Sequence, residues 1–524
     1  MSKSEPSIFW RWTFLIVLVA LGVRLGPMVG NGALRGAVAY DDAVYFSGAQ
    51  HLVTGDLPYR DFLFVHPPGV LVLLVPFAEL SRLLTDSWSF AVAKLFFVAI
   101  GVVNTILVAR LLRPFGFVAI VAGAGLYAVW SAPAAVERTV LLEPLLNLSL
   151  LLVLWLFSRD ALTLRGNAVA GALLGSAAAF KVWAGPEVLA VAGWLLLARG
   201  WRAAGAWLAG ASAAFLLWVG TFFALAPSQM YHQVILDQLQ RPAQGVGPVT
   251  TLRYFAGLEG LPQISQRLPD WTFVAAGALV AVAIVVAVWH ADPLVRLWAL
   301  LLTVQVAELL TAPIHFSTYT AFAAPTFCLL LGFTVARAAT TLRAHMRWAV
   351  FASGFVLLAV LAISSVRWAS KHLDFPNEPV SRFASHHRCV WASQPEFLIL
   401  ANANLRQIEA GCEQWVDPYG QLLDLLRNSK SGTVWEKAPT LAPYQAELRS
   451  QLRHSDAALM GASTRAGWDR RTARLFRSRF RAGRREGWLV LWTVRRAPAA
   501  RGGASLHALE TPSRRGAGSS SLEP

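Results

Sequence analysis

The sequence predicts a polytopic α-helical membrane protein of about eleven transmembrane helices with a C-terminal extracytoplasmic α/β domain, and three observations predict it. First, 15% of the residues are charged and 56% hydrophobic, with 21 Trp, against about 25% and 45–50% in an ordinary soluble protein. Second, between residues 9 and 366 the apolar residues fall in blocks long enough to cross a bilayer, which takes roughly 20 residues of helix. Third, the short loops between blocks carry basic residues, as membrane topology dictates. The net charge of +16 is no argument for nucleic acid, because much of it lies in one Arg-rich stretch near the C-terminus, 465–515.

The first block, 9–22, follows Lys3 and carries Arg11. A cleaved signal peptide competes with a retained anchor; the residues that follow, Arg24, Gly26, Pro27 and Met28, make a poor cleavage site and favour the anchor. The expected spans run near 9–26, 89–112, 115–131, 139–157, 167–181, 184–198, 204–226, 271–289, 297–312, 319–337 and 347–366. The fifth and sixth flank Lys181 and Pro186, where a break or re-entrant turn is tolerated only in protein or beside water. Arg110 and Arg113, Arg159 and Arg165, Arg199 and Arg202, Arg296, and Arg337, Arg343 and Arg347 then share one face with Lys3, which the rule makes cytoplasmic.

Residues 1–366 thus form the membrane region. Two large loops, 27–88 and 227–270, and everything after 367 lie on the other face. The apolar stretch 69–80 is too short to span and suits a helix lying at the interface. In 367–497, strand-like 389–393, 413–417, 457–460 and 488–494 alternate with helical 396–403, 421–427, 444–452 and 464–477, which suggests a small α/β layer. Residues 498–524, rich in Ala, Arg, Gly and Ser, read as a disordered tail. Cys389 and Cys412 both fall in this exported part, at strand entrances, so a disulfide is expected, worth on the order of 3 kcal/mol in the chain-entropy model. Cys328 sits in an apolar segment, and the three cysteines show no metal-ligand spacing.

Chemistry is sought where charge is expensive, at about 2.5–3.5 kcal/mol for a charged side chain at a helix centre. The informative groups gather toward the outer face. The first outer loop carries Tyr40-Asp41-Asp42, then Gly55-Asp56-Leu57-Pro58-Tyr59-Arg60-Asp61-Phe62, then Val65-His66-Pro67-Pro68-Gly69. Adjacent carboxylates after a span can supply a general base near the lipid headgroups. They can equally be a solvated turn that caps a helix starting near Ala43.

These stretches resemble the GT-C superfamily of integral membrane glycosyltransferases, which use polyprenyl-phosphate sugars. There, one span leads to a large outer loop that opens with an acidic pair, passes a Gly-x-x-Pro-Tyr segment and ends in a Pro-Pro pair entering an apolar helix. Asp41-Asp42, the run Gly55-Asp56-Leu57-Pro58-Tyr59, and Pro67-Pro68 match that order, whereas Val65-His66 stands where related lipid-modifying members place Glu-Lys. The likeness looks closest to actinobacterial mannosyl- and arabinosyltransferases, with Val140-Leu141-Leu142-Glu143-Pro144-Leu145 as a second shared-looking stretch. It implies a polyprenyl-phosphate sugar donor, a cell-envelope glycan or lipid acceptor, a plasma-membrane setting with an extracytoplasmic site, and Asp41 as the base, with Asp42 assisting, capping or positioning a metal.

Transfer from a lipid phosphate leaves an anion that cations must stabilise. Lys181, Arg138 and Arg241 are the candidates; Arg138 has Glu137 and Glu143 as competing partners, and Arg241 lies in an exposed loop. His66, Arg60, Asp61, Glu143, Gln238 and His315 are candidate substrate contacts, although a lone His such as His315 is more often structural. Glu308 is costly to bury and needs a basic partner. No cofactor follows from the sequence, and a divalent metal stays open. A secondary transporter or lipid-linked sugar flippase is the alternative. It would favour repeated halves and mid-membrane polar groups on broken helices. A scaffold would need neither Asp41-Asp42 nor Lys181.

Overall fold

The computed structural model describes residues 5–159, 162–242, 247–289, 292–370, 374–427, 434–461 and 467–495; the expected tail at 498–524 lies outside them. Among the described residues seven helices are long and apolar enough to cross a membrane: Phe9–Gly30, Asp86–Phe115, Trp201–Leu225, Asp270–Trp289, Pro293–Thr311, Ser317–Thr341 and His345–Ala369. Phe117–Val129 and Glu143–Phe157 are shorter apolar helices, and Leu164–Ala178 and Ala184–Arg199 complete the bundle on either side of Lys181.

Small residues set how closely these helices approach, since lipid offers no hydrophobic drive for helix association. A Cβ on Gly171 would lie 2.1 Å from the Trp207 carbonyl oxygen, one on Gly175 2.2 Å from that of Ala211, and one on Gly210 1.9 Å from that of Ala168. Leu164–Ala178 and Trp201–Leu225 therefore pack backbone to backbone across a Gly-x-x-x-Gly face. One buried charge in the bundle is fully paired. Arg24, fully buried, donates to Glu137 and to the Ala128 carbonyl at 2.9 Å. Glu137 also accepts from Asn104 at 3.0 Å and the Tyr127 hydroxyl at 2.7 Å. Gly101 makes room, because a Cβ there would fall 2.5 Å from a Glu137 oxygen.

The first large loop, residues 27–88, is a folded layer. Its helix Tyr40–Thr54 starts three residues before the expected Ala43 and ends on Gly55, whose φ of 99° suits glycine. Gly69 opens the helix Gly69–Leu80 and donates its N–H to Ala179 at 3.0 Å, so this loop sits on the turn that holds Lys181. Beyond a break at Ala226, the second loop runs through the short helix Pro227–Tyr231 into one wide π-turn, His232–Leu236.

The C-terminal region carries a four-stranded sheet in the order β1-β2-β4-β3. Here β1 is Val390–Ala392, β2 Ala457–Met460, β3 Phe480–Glu486 and β4 Leu489–Val494. β1 and β2 run parallel, while β2–β4 and β4–β3 are antiparallel. Behind it Trp391, Leu422, Leu448, Phe476 and Phe480 form a core of their own. A disulfide joins Cys389 to Cys412.

Two expectations need correction, and one strand was not expected. Residues 413–417 are not a strand: the Gln414 side chain pairs with both backbone groups of Ala392, at 2.9 and 3.3 Å, in place of a backbone ladder. The helix expected at 464–477 is Arg470–Arg479, begun by Asp469, whose carboxylate accepts from the Thr472 N–H at 2.5 Å. Strand β3, Phe-Arg-Ala-Gly-Arg-Arg-Glu, carries no alternating apolar pattern because it is an edge whose charges face solvent.

This domain is seated on the first large loop. The Tyr40 hydroxyl donates to Asp417 at 2.8 Å, Asn404 donates to Ser47 and Gln50 at 3.0 and 2.8 Å, and Val38 N–H donates to Glu396 at 3.0 Å.

Candidate active site

The acidic pair opens the helix Tyr40–Thr54 at its N-terminal turn, where the helix dipole favours negative charge. Neither carboxylate is a solvated cap, and the two point into different surroundings. Asp42 is fully buried; it accepts from the Thr139 hydroxyl and faces Lys94, whose ammonium donates to the Gly36 carbonyl at 3.1 Å. Burial raises its carboxyl to about 6, and Lys94 and Thr139 hold it from rising further. The Asp42 group is thus tied to the scaffold.

Asp41 faces a small cavity of about 30 Å³, room for bound water, with Tyr40, His66, Gln238, Arg241 and Asp417 in its wall. Asp41 accepts no hydrogen bond from the described residues. Burial first, then the nearby Asp417, push its carboxyl up to about 7, against the pull of Arg241 and Lys181. A carboxylate poised there can take a proton at neutral pH. Asp417 is itself held in place. It accepts from Tyr40, and from Gly420 N–H at 2.8 Å as the cap of the helix Pro418–Leu425. The Tyr40 oxygen in turn accepts from Tyr419 N–H at 2.8 Å.

The cations come from three parts of the chain. Arg241, beyond the π-turn, lies over the Tyr419 ring, 5.5 Å from its centroid. Lys181 donates to Glu143 at 2.7 Å and sits 3.8 and 4.3 Å from the Trp183 and Tyr319 ring centroids. Arg138 is buried, and its Nε and Nη1 have no hydrogen-bond partner among the described residues. Its two suggested partners are taken, Glu137 by Arg24 and Glu143 by Lys181. Arg138 neighbours Lys94 rather than the cavity wall.

Of the candidate substrate contacts, His66 and Gln238 line the cavity. Gln238 donates to the Val65 carbonyl at 3.0 Å and so fixes the backbone before His66. Burial, with Lys181 and Arg241 nearby, drives the His66 imidazole down to about 3, so it is neutral. Glu143 is the partner of Lys181. His315 is buried, stacks on Tyr254 at 5.5 Å and lies behind Tyr319 at 6.0 Å, outside the cavity wall. Arg60 and Asp61 pair with each other at 2.7 Å in the open, also away from the cavity. Among the described residues no group of three or more His, Cys, Asp or Glu side chains is placed to hold a metal ion.

Two members of the site were not singled out from the sequence. Asp417-Pro418-Tyr419-Gly420 reads as a turn closing a strand; its Asp-Pro-x-Gly pattern is a helix-start signal that finds the cap but not the cavity. Tyr319, in a short helical turn, shows nothing in sequence that sets it apart from an interfacial anchor.

No family model and no curated protein matches the sequence. Solved structures do. ArnT from Cupriavidus metallidurans bound to undecaprenyl phosphate aligns over 94% of this chain and 98% of its own, with 13% identity and a TM-score of 0.56. The oligosaccharyltransferase AglB from Archaeoglobus fulgidus, in complex with an inhibitory peptide and a dolichol-phosphate, aligns over 91% and 73%, with 11% identity and a TM-score of 0.55. At these identities the likeness is one of fold. The chain shares the polytopic helical fold of these two structures, with a C-terminal sheet region.

Proposed function

We propose that the protein is a membrane glycosyltransferase. It moves a monosaccharide from a polyprenyl-phosphate donor to an extracytoplasmic glycan, lipid or protein acceptor, with Asp41 as general base. The observation that carries this reading is the Asp41 carboxylate, without a hydrogen-bond donor, facing a cavity walled by both outer loops and the C-terminal domain. The fold shared with ArnT and AglB, whose structures hold undecaprenyl phosphate and a dolichol-phosphate, supports the donor class.

In this mechanism the acceptor hydroxyl gives its proton to Asp41 while its oxygen bonds to the anomeric carbon. The bond from that carbon to the phosphate oxygen breaks, and the polyprenyl phosphate leaves with the electron pair. Arg241 and Lys181 meet the developing charge, Arg241 as a fork and Lys181 as a point charge that exchanges Glu143 for phosphate. Arg138, with unpartnered nitrogens, is a further anion grip on the Lys94 side. Asp42 keeps the loop in place against Lys94 and Thr139. The ionisable groups that face the cavity come from outer loops and the C-terminal domain, which favours transfer chemistry over a carrier.

Residues 27–88, 227–270 and the C-terminal domain are placed outside the plasma membrane by the basic loops on the opposite face. A reporter active only in the cytoplasm, fused after residue 495, should be silent; full activity there would reverse the orientation. The activity is tested by incubating purified protein with radiolabelled polyprenyl-phosphate mannose and arabinose and following label into envelope glycans and lipids. Label that stays on both donors, with the protein folded and in a bilayer, overturns the reading.

A further inference from the structure

A second depression lies outside the cavity, between the first outer loop and the C-terminal domain. It is an open groove of about 450 Å³. Its floor is aromatic: Trp415, half-buried, stacks on Tyr444 with ring centroids 4.5 Å apart and planes 27° from parallel. Its rim is planar and polar, with Asp61, Glu413 and Glu447 among the carboxylates and Gln421 among the amides, and it has no Lys or Arg in its wall. Asp61 is engaged by Arg60 and Glu413 by Ser450 and His454. The Glu447 and Gln421 side chains have no hydrogen-bond partner among the described residues.

The groove and the cavity share a wall. In the helix Pro418–Leu425, Tyr419 and Leu423 face the cavity while Gln421 and Leu425 face the groove. In the first loop, Leu63 lines the groove and His66 the cavity. The wall is closely packed at Leu63, since a Cβ on Gly420 would come within 2.8 Å of its side chain.

We infer that this groove is a saccharide subsite for an extended, uncharged glycan acceptor, a reading that rests on the glycosyltransferase proposal. An aromatic floor takes the C–H face of a pyranose or furanose ring, and free carboxylate and amide groups take its hydroxyls in paired hydrogen bonds. With Glu447 unpaired, Asp61 and Glu413 already engaged and no lysine or arginine in the lining, nothing in the groove attracts phosphorylated or sulfated chains. A chain held in the groove lies across the shared wall from the cavity that Asp41 faces, so its end, passing the edge of that wall, is the part that would reach the base.

The test measures binding directly, by calorimetry on full-length protein in lipid nanodiscs. The probes are neutral mannose and arabinose oligosaccharides of two to eight residues, a sulfated oligosaccharide of matched length and a Lys-rich peptide. Neutral oligomers should bind, more tightly as they lengthen, and the sulfated chain should not. Trp415→Ala should weaken binding at least tenfold, Trp415→Phe should restore most of it, and Glu447→Gln should weaken it severalfold. Absence of binding by every neutral oligomer, equal binding by wild type and Trp415→Ala, or tighter binding by the peptide overturns the inference. If Trp415-dependent binding is found in a protein that transfers no sugar, the groove stands and the glycosyltransferase reading falls. Transfer that proceeds without any groove-dependent binding has the opposite meaning.

Discussion

Glu137 and Asp41 are carboxylates placed by neighbouring parts of the same fold, and their surroundings are opposite. Glu137 is met by Arg24, Asn104 and Tyr127, so its buried charge is fully spent on partners. Asp41 lies among charges without accepting a hydrogen bond, and its carboxyl sits near neutrality as a result. A buried charge that is paired holds helices together. One left unpaired beside a cavity keeps a proton affinity suited to chemistry. The same contrast separates Asp41 from its neighbour Asp42, which is committed to Lys94 and Thr139.

The sharpest way to break the comparison is Asp41→Asn, which keeps shape and removes basicity. Transfer should fall by about 10²–10⁴-fold, the usual worth of a positioned base, while thermal stability and membrane insertion stay near wild type. Near-normal transfer by that variant would remove Asp41 from the mechanism.

Glu137→Ala should do the reverse and act on stability. It leaves Arg24 buried without its counter-charge, a loss of about 3–5 kcal/mol that thermal unfolding in detergent would show. A variant as stable as wild type would mean that the network is not what holds the first helix to the bundle. Gly101→Ala probes the same network from outside, since the new methyl crowds Glu137; a smaller loss of about 1–3 kcal/mol is expected.

The smallest expected effect sharpens the site. With an Asp41 carboxyl near 7, kcat/KM should rise with pH through neutrality, because the base must be ionised. Arg241 pulls that value down, so Arg241→Gln should move the rising limb to higher pH as well as slow the reaction. A limb that stays in place when Arg241 is removed would show that another group titrates.

Much of the fold was legible because its cause is local. Apolar blocks near 9–26 or 347–366 leave no alternative to a helix, since every backbone group in lipid needs an internal partner. Strands β2 and β4 show as short β-branched or apolar runs, but β3 is hidden under edge arginines and Gln414 replaces a strand with its side chain. The Gly171–Gly175 spacing was visible yet silent until the facing helix was known.

By itself, then, the sequence determined the membrane class, the folded outer loop and an acidic pair at the start of that loop's helix. Tertiary structure alone decided which acid faces the cavity. Successive residues of a helix turn by about 100°, so Asp41 and Asp42 cannot look the same way, and their separate fates depend on partners that only folding supplies. Lys94 and Thr139 come to Asp42 from the helix bundle, and Arg241 to Asp41 from the second loop. Asp417 reaches the same cavity through a hydrogen bond that spans 377 residues. No local pattern encodes a contact at that distance, because it is the packing of the C-terminal domain on the first loop that creates it.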